Sequence, residues 1–126
     1  HRYALKNLQH LDLRQCECLA PDTDFSTFKN LKNLNLFGTK VDDISSLASC
    51  YKLTVLNLWF TPVKSIMPIA SCVSILHLDL ANTQVDSLVP LAGCNKLRHL
   101  SLWLEYKIMM NSFCDNYTFV SKRKFL

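Results

Sequence analysis

The chain has 126 residues, a formal net charge of +4, 49% hydrophobic residues and 19% charged residues. That length suits one domain, and the composition is too apolar for a disordered chain, yet no apolar run is long enough for a membrane helix. Three positive charges sit together in Lys122-Arg123-Lys124 and leave the rest close to balanced, so no basic face marks a nucleic-acid partner.

Leucine occurs 22 times and glycine only at Gly38 and Gly93. Two glycines leave neither a phosphate-cradling loop nor a dinucleotide fingerprint. The chain opens on His1-Arg2-Tyr3, with neither an initiator Met nor an apolar leader, as expected of a processed chain or a piece of a longer protein. A first unit runs Leu8, Leu11, Leu13, Cys16, Cys18, with Phe25 and Phe28 filling its later apolar positions. It carries one extra residue before Leu31. From there the chain matches itself at a shift of 22 residues. Leu34, Leu56, Leu78 and Leu100 coincide, as do Leu36, Leu58, Leu80 and Leu102. Thr39, Thr61 and Thr83 follow, then Val41, Val63 and Val85. The later apolar positions are Ile44, Ile66 and Leu88, then Leu47, Ile69 and Leu91, then Cys50, Cys72 and Cys94.

This L-x-x-L-x-L-x-x-(T/C)-x-V pattern, over residues 5–104, resembles the leucine-rich repeat. The unit length and the segments Val41–Leu47 and Val85–Leu91 are similar to internalin repeats and to the short repeats of phosphatase-regulatory subunits. Kinetoplastid leucine-rich repeat proteins are similar in carrying Thr or Cys where those families place Asn, and Cys where they place a late Leu. The resemblance implies a right-handed α/β-type solenoid. Each repeat then contributes a short parallel strand to a concave face and an extended or 3₁₀ segment to a convex face. It implies protein recognition as the mode of function.

The residue pattern supports the same architecture independently. In L-x-L both leucines face one side of a strand. Five strands are expected near 10–14, 33–37, 55–59, 77–81 and 99–103, making a face about 19 Å long. Pro68, Pro90 and the Ser-rich stretch 43–49 suit short 3₁₀ turns better than full helices. The Thr column points inward, where a hydroxyl can do a smaller version of the Asn role in bonding the next unit's loop. The Cys50, Cys72 and Cys94 column also points inward. Parallel Cβ vectors and an odd count favour buried free thiols over disulfides, and hence a reducing compartment. The spacing Cys16-x-Cys18 is wrong for a zinc knuckle.

Function is expected in the residues between the leucines. Three outward columns follow from the register. The first holds His10, Asn33, Val55, His77 and His99; the second Asp12, Asn35, Asn57, Asp79 and Ser101; the third Arg14, Phe37, Trp59, Ala81 and Trp103, with Phe60 just beyond. Phe37, Trp59 and Trp103 are large aromatics the core does not require, and such rings supply much of the energy at interfaces. The expected partner-binding set is therefore Phe37, Trp59, Trp103, Asn35, Asn57, Asp79, His77, His99 and Arg14. The partner is a protein, and no metal or cofactor is required. A spacer role within a longer repeat array is the alternative. A remoter one is an acid–base or metal site at His77 and Asp79, which share a strand face; no nucleophile accompanies them.

After Leu104 the pattern decays, and residues 105–126 are expected to form a degenerate repeat or a cap. Asn116-Tyr117-Thr118 is a glycosylation sequon that matters only in a secreted protein. Thiol titration of the unfolded protein without reductant should find six reactive thiols; a smaller number would establish a disulfide.

Overall fold

The computed structural model describes residues 5–102. Trp103, Leu104 and the expected capping segment 105–126, with Cys114 and Asn116, lie outside the described residues. Five strands form one parallel sheet in chain order: β1 (His10–Asp12), β2 (Asn33–Asn35), β3 (Val55–Asn57), β4 (His77–Asp79) and β5 (His99–Ser101). Leu11, Leu34, Leu56, Leu78 and Leu100 stand opposite one another across the ladder. The 22-residue frame is thus also the sheet register.

Each strand spans three residues, not five, and the side chains of the second column account for the difference. The Oδ1 atoms of Asn35, Asn57 and Asp79 accept the backbone N–H two residues on, from Phe37 at 3.0 Å, Trp59 at 2.9 Å and Ala81 at 3.0 Å. Asp12 does the same to Arg14 at 3.2 Å. These Asx turns bend the chain out of the strand. Every second amide still reaches the next repeat: Leu36 donates to the carbonyl of Asn57, Leu58 to that of Asp79, and Leu80 to that of Ser101, at 2.8–2.9 Å.

Corners follow directly after these turns. Gly38 (φ 69°), Phe60 (φ 59°) and Asn82 (φ 52°) occupy the same position in successive repeats, with Gln15 (φ 59°) in the first unit. All four are left-handed. Scarce glycine therefore does not mean corners without positive φ; one glycine, an Asn, a Gln and a Phe make them. Asn tolerates this region well, whereas a bulky side chain there costs about 1–2 kcal/mol.

On the opposite side, three 3₁₀ turns run over η1 (Ser45–Ser49), η2 (Met67–Ser71) and η3 (Val89–Gly93). Their apolar residues recur every third position. Ile44, Leu47, Cys50 and Leu53 are all buried, and the amides of Leu47, Cys50 and Leu53 donate to the carbonyls three residues back, at 2.9–3.1 Å. A period of three is the 3₁₀ period, so one edge of the segment faces the core throughout. Pro68 and Pro90 fall in the first turn, where a missing N–H goes unused.

Between sheet and turns lies a core of stacked columns of Leu, Ile, Val and Cys. The threonines are buried in it as expected, but they bond differently. Thr39, Thr61 and Thr83 donate to the carbonyls of Leu36, Leu58 and Leu80 at 2.9, 2.7 and 2.8 Å. Each of these hydroxyls satisfies a carbonyl of its own corner.

The cysteines do link units. Cys72 Sγ lies 3.6 Å from the Leu47 carbonyl and 3.5 Å from that of Cys50; Cys94 repeats this toward Ile69 and Cys72, at 3.8 and 3.9 Å. Cys50 points to the Phe25 carbonyl at 3.5 Å. Cys16, Cys18, Cys50, Cys72 and Cys94 are free. Burial pushes the Cys72 thiol up to about 12, with Cys50 and Cys94 adding to it, and raises those two as well. The column stays protonated and donates weak S–H bonds along the solenoid.

Phe25 closes the core of the first unit, whereas Leu11, Leu13, Leu19 and Phe28 are only partly covered. Burial thus rises from the first unit inward. Leu58→Ala, at a site with 0% exposure, should cost about 2–5 kcal/mol in urea unfolding, and Leu13→Ala less than half of that. Equal losses would mean that the first unit is packed as tightly as the third.

Candidate interaction face

The register puts the expected columns where the sequence places them. His10, Asn33, Val55, His77 and His99 are consecutive partners on the sheet, as are Asp12, Asn35, Asn57, Asp79 and Ser101. The third column lies just past the strand ends. Its rings are half-buried, because Phe37 and Trp59 stack on each other with centroids 4.7 Å apart and planes at 29°. Ala81 is fully covered, so the aromatic row is interrupted after Trp59; Trp103 is outside the described residues.

The fixed backbone explains the pairing. Phe37 and Trp59 are each the second residue after an Asx side chain that holds their amide. Both rings therefore leave the chain at the same angle on adjacent repeats. Offset stacking of this kind contributes about 0.5–1.5 kcal/mol beyond area burial.

The polar strip is partly spoken for. The Oδ1 atom of each of Asn35, Asn57 and Asp79 holds a turn. Arg14 Nε lies 3.2 Å from Asp12 Oδ2, with both side chains more than half exposed, an ion pair worth little to stability. Ser101 Oγ is buried with no partner among the described residues.

His77 and His99 make a second stacked pair, with centroids 4.4 Å apart and planes at 7°. They border an open hollow of about 200 Å³ with Val55, Asn57, Asp79 and Ser101. Burial, His99 and Arg98 hold the His77 imidazole below its usual 6.5. Asp79 Oδ1 takes the Ala81 amide. Among the described residues no group of three His, Cys, Asp or Glu side chains could hold a metal ion.

Phe60 is the ring that the sequence reading left at the margin. It is 60% exposed and stands in the left-handed region. The column Gln15, Gly38, Phe60, Asn82 was the available signal, since Gly and Asn suit a left-handed corner and a bulky Phe does not.

The depressed His77 imidazole ties stability to pH. An imidazole depressed in the folded state stays neutral while the unfolded chain takes up its proton near pH 6.5. The contribution is therefore present above pH 6.5 and lost as pH falls through the lower folded value. The melting temperature should drop between pH 7.5 and 5, and His77→Gln should flatten that drop. An unchanged slope in the variant would remove His77 as its cause.

No protein-family model matches the chain, and no curated protein matches it. Its fold matches solved structures. An internalin from Listeria monocytogenes superposes with a TM-score of 0.78 at 20% identity, over 96% of this chain and 36% of the internalin. An internalin C2 of the same organism gives 0.71 at 24% identity, over 96% and 54%. The functional domain of InlJ, described as including a cysteine ladder, gives 0.55 at 13% identity, over 75% and 25%. The chain thus spans about a third to a half of the first two. The 22-residue register, the parallel sheet in chain order and these superpositions agree: the chain folds as a leucine-rich repeat solenoid of the internalin type.

Proposed function

We propose that the chain is a non-catalytic protein-interaction module that binds a protein partner through its sheet face. The stacked Phe37–Trp59 pair carries this reading. Two large rings lie side by side beyond the sheet, half-covered and unnecessary to the core, on a backbone held by Asx turns. Aromatics presented rigidly lose little entropy on binding and dominate interface energies. Asn35, Asn57, Asp79, His77, His99 and Arg14 form the polar rim of this site, and the 22-residue spacing assigns Trp103 to the same column. The open shape of the hollow at His77 and His99 favours binding over catalysis. Internalin-like folds commonly serve protein recognition, which supports the mode and leaves the partner open.

A second reading has one observation in its favour. Leu11, Leu13, Leu19 and Phe28 are only partly covered, as they would be in a stretch of a longer array whose preceding unit completes the packing. This fits a spacer role in which other repeats carry recognition. No helix among the described residues is long and apolar enough to cross a membrane.

The immobilised chain and its Trp59→Ala/Trp103→Ala variant, compared in pull-downs at equal loading, test the first reading. The variant should lose the captured partner while keeping its circular dichroism. Met67→Ser, on the opposite side, should keep it. Retention by the double variant would sink the aromatic face.

A further inference from the structure

We propose a second recognition site at the loop edge of the solenoid, built around Phe60, that takes an extended acidic peptide segment carrying an apolar side chain. It lies beside the sheet face and does not depend on that face binding anything.

Phe60 is held where a bulky residue is disfavoured. Its φ is 59°, and the equivalent residues of the flanking repeats are Gly38 and Asn82, which enter this region readily. Its ring does not recover that cost by burial, since it is 60% exposed. The backbone around it is firmly fixed. The Phe60 amide donates to the Ala81 carbonyl at 3.1 Å, the Gly38 amide donates to that of Trp59 at 3.0 Å, and the Gln84 amide donates to that of Val63 at 3.0 Å. An exposed aromatic kept in a disfavoured conformation by well-bonded neighbours points to a use outside the chain.

The ring also borders a groove. A cavity of about 420 Å³ opens along the corner, lined by Gly38, Lys40, Phe60, Pro62, Asn82, Gln84 and the three corner threonines. The threonine hydroxyls are turned to carbonyls of their own units. Four groups then define the chemistry. Phe60 and Pro62 give an apolar surface that suits a ring or a proline. Asn82 and Gln84 bring side-chain amides, which can pair with a peptide backbone. Among the described residues Lys40 is the one formal charge of the lining, and no carboxylate lines it. Gly38 carries no side chain, and Gln15 Cγ stands 3.3 Å from where its Cβ would lie. An extended segment fits this long open shape better than a compact small molecule, and the lone ammonium selects an acidic one.

The test uses the full chain, labelled with ¹⁵N, and two capped hexapeptides, one of alternating Asp and Phe and one of alternating Lys and Phe. The acidic peptide should shift the amides of Gly38, Phe60, Asn82 and Gln84, and bind at least about threefold more tightly than the basic one. Salt should narrow the difference. Phe60→Gly should abolish the shifts while the melting temperature stays level or rises, because the left-handed corner suits glycine. Lys40→Gln, at an exposed position, should remove the preference and leave weak binding of both peptides. Equal binding of the two peptides to the wild type would overturn the proposal. So would shifts confined to Asn35, Asn57, His77 and His99, which would still leave the sheet face as a binding surface. A fall in the melting temperature of Phe60→Gly would show that the ring serves the fold, and would also overturn it.

Discussion

The parallel ladder between repeats can form only if every unit returns the chain to the same height after 22 residues. Most other features follow from that closure. Leu34, Leu56, Leu78 and Leu100 meet because the spacing never varies among them. The return path must then be short and identical each time, which excludes a full α-helix and selects turns with i→i+3 bonds. Apolar residues every third position serve such a path, and the run Ile66, Ile69, Cys72, Ile75 has that spacing in full. The ladder on one side and the 3₁₀ turns on the other are thus two answers to a single length constraint.

Closure also sets what the polar residues do. A strand that must end after three residues needs something to take the amide two residues past its last one, and Asn35, Asn57 and Asp79 accept it. A corner that follows at once needs a positive φ and a satisfied carbonyl. Gly38, Phe60 and Asn82 supply the first, and Thr39, Thr61 and Thr83 the second. Asparagine and threonine columns that look free to bind a partner are in large part the fittings of the turn. The cysteines are fittings of another kind, small enough for the narrow convex side and able to donate weakly to the preceding unit.

Much of this is legible in the sequence. The leucine columns, their parallel register, the inward threonines and cysteines and the 3₁₀ character of the segments at Pro68 and Pro90 all follow from period and residue type. Strand length does not, because L-x-L reads the same whether the strand runs three residues or five; only the side-chain bond from Asn57 to the Trp59 amide decides it. Nor does the covering of Phe37 by Trp59, since exposure on a sheet edge depends on how neighbouring rings lean. The corner conformation was half-visible: Asn82 and Gly38 announce it, and Phe60, 22 residues from each, inherits it from the fold against its own preference.

That inheritance separates the residues of the outer surface into two kinds. Asn35, Asn57 and Asp79 serve the backbone first, so replacing them would confuse loss of fold with loss of recognition. Phe37 and Trp59 stack on each other and Phe60 is exposed, while the backbones of all three are held by other residues. A ring that the fold tolerates but does not need carries the cleaner functional information. On that ground the aromatic side chains of the second and third repeats, rather than the more regular polar columns, are where the proposed recognition is most directly tested.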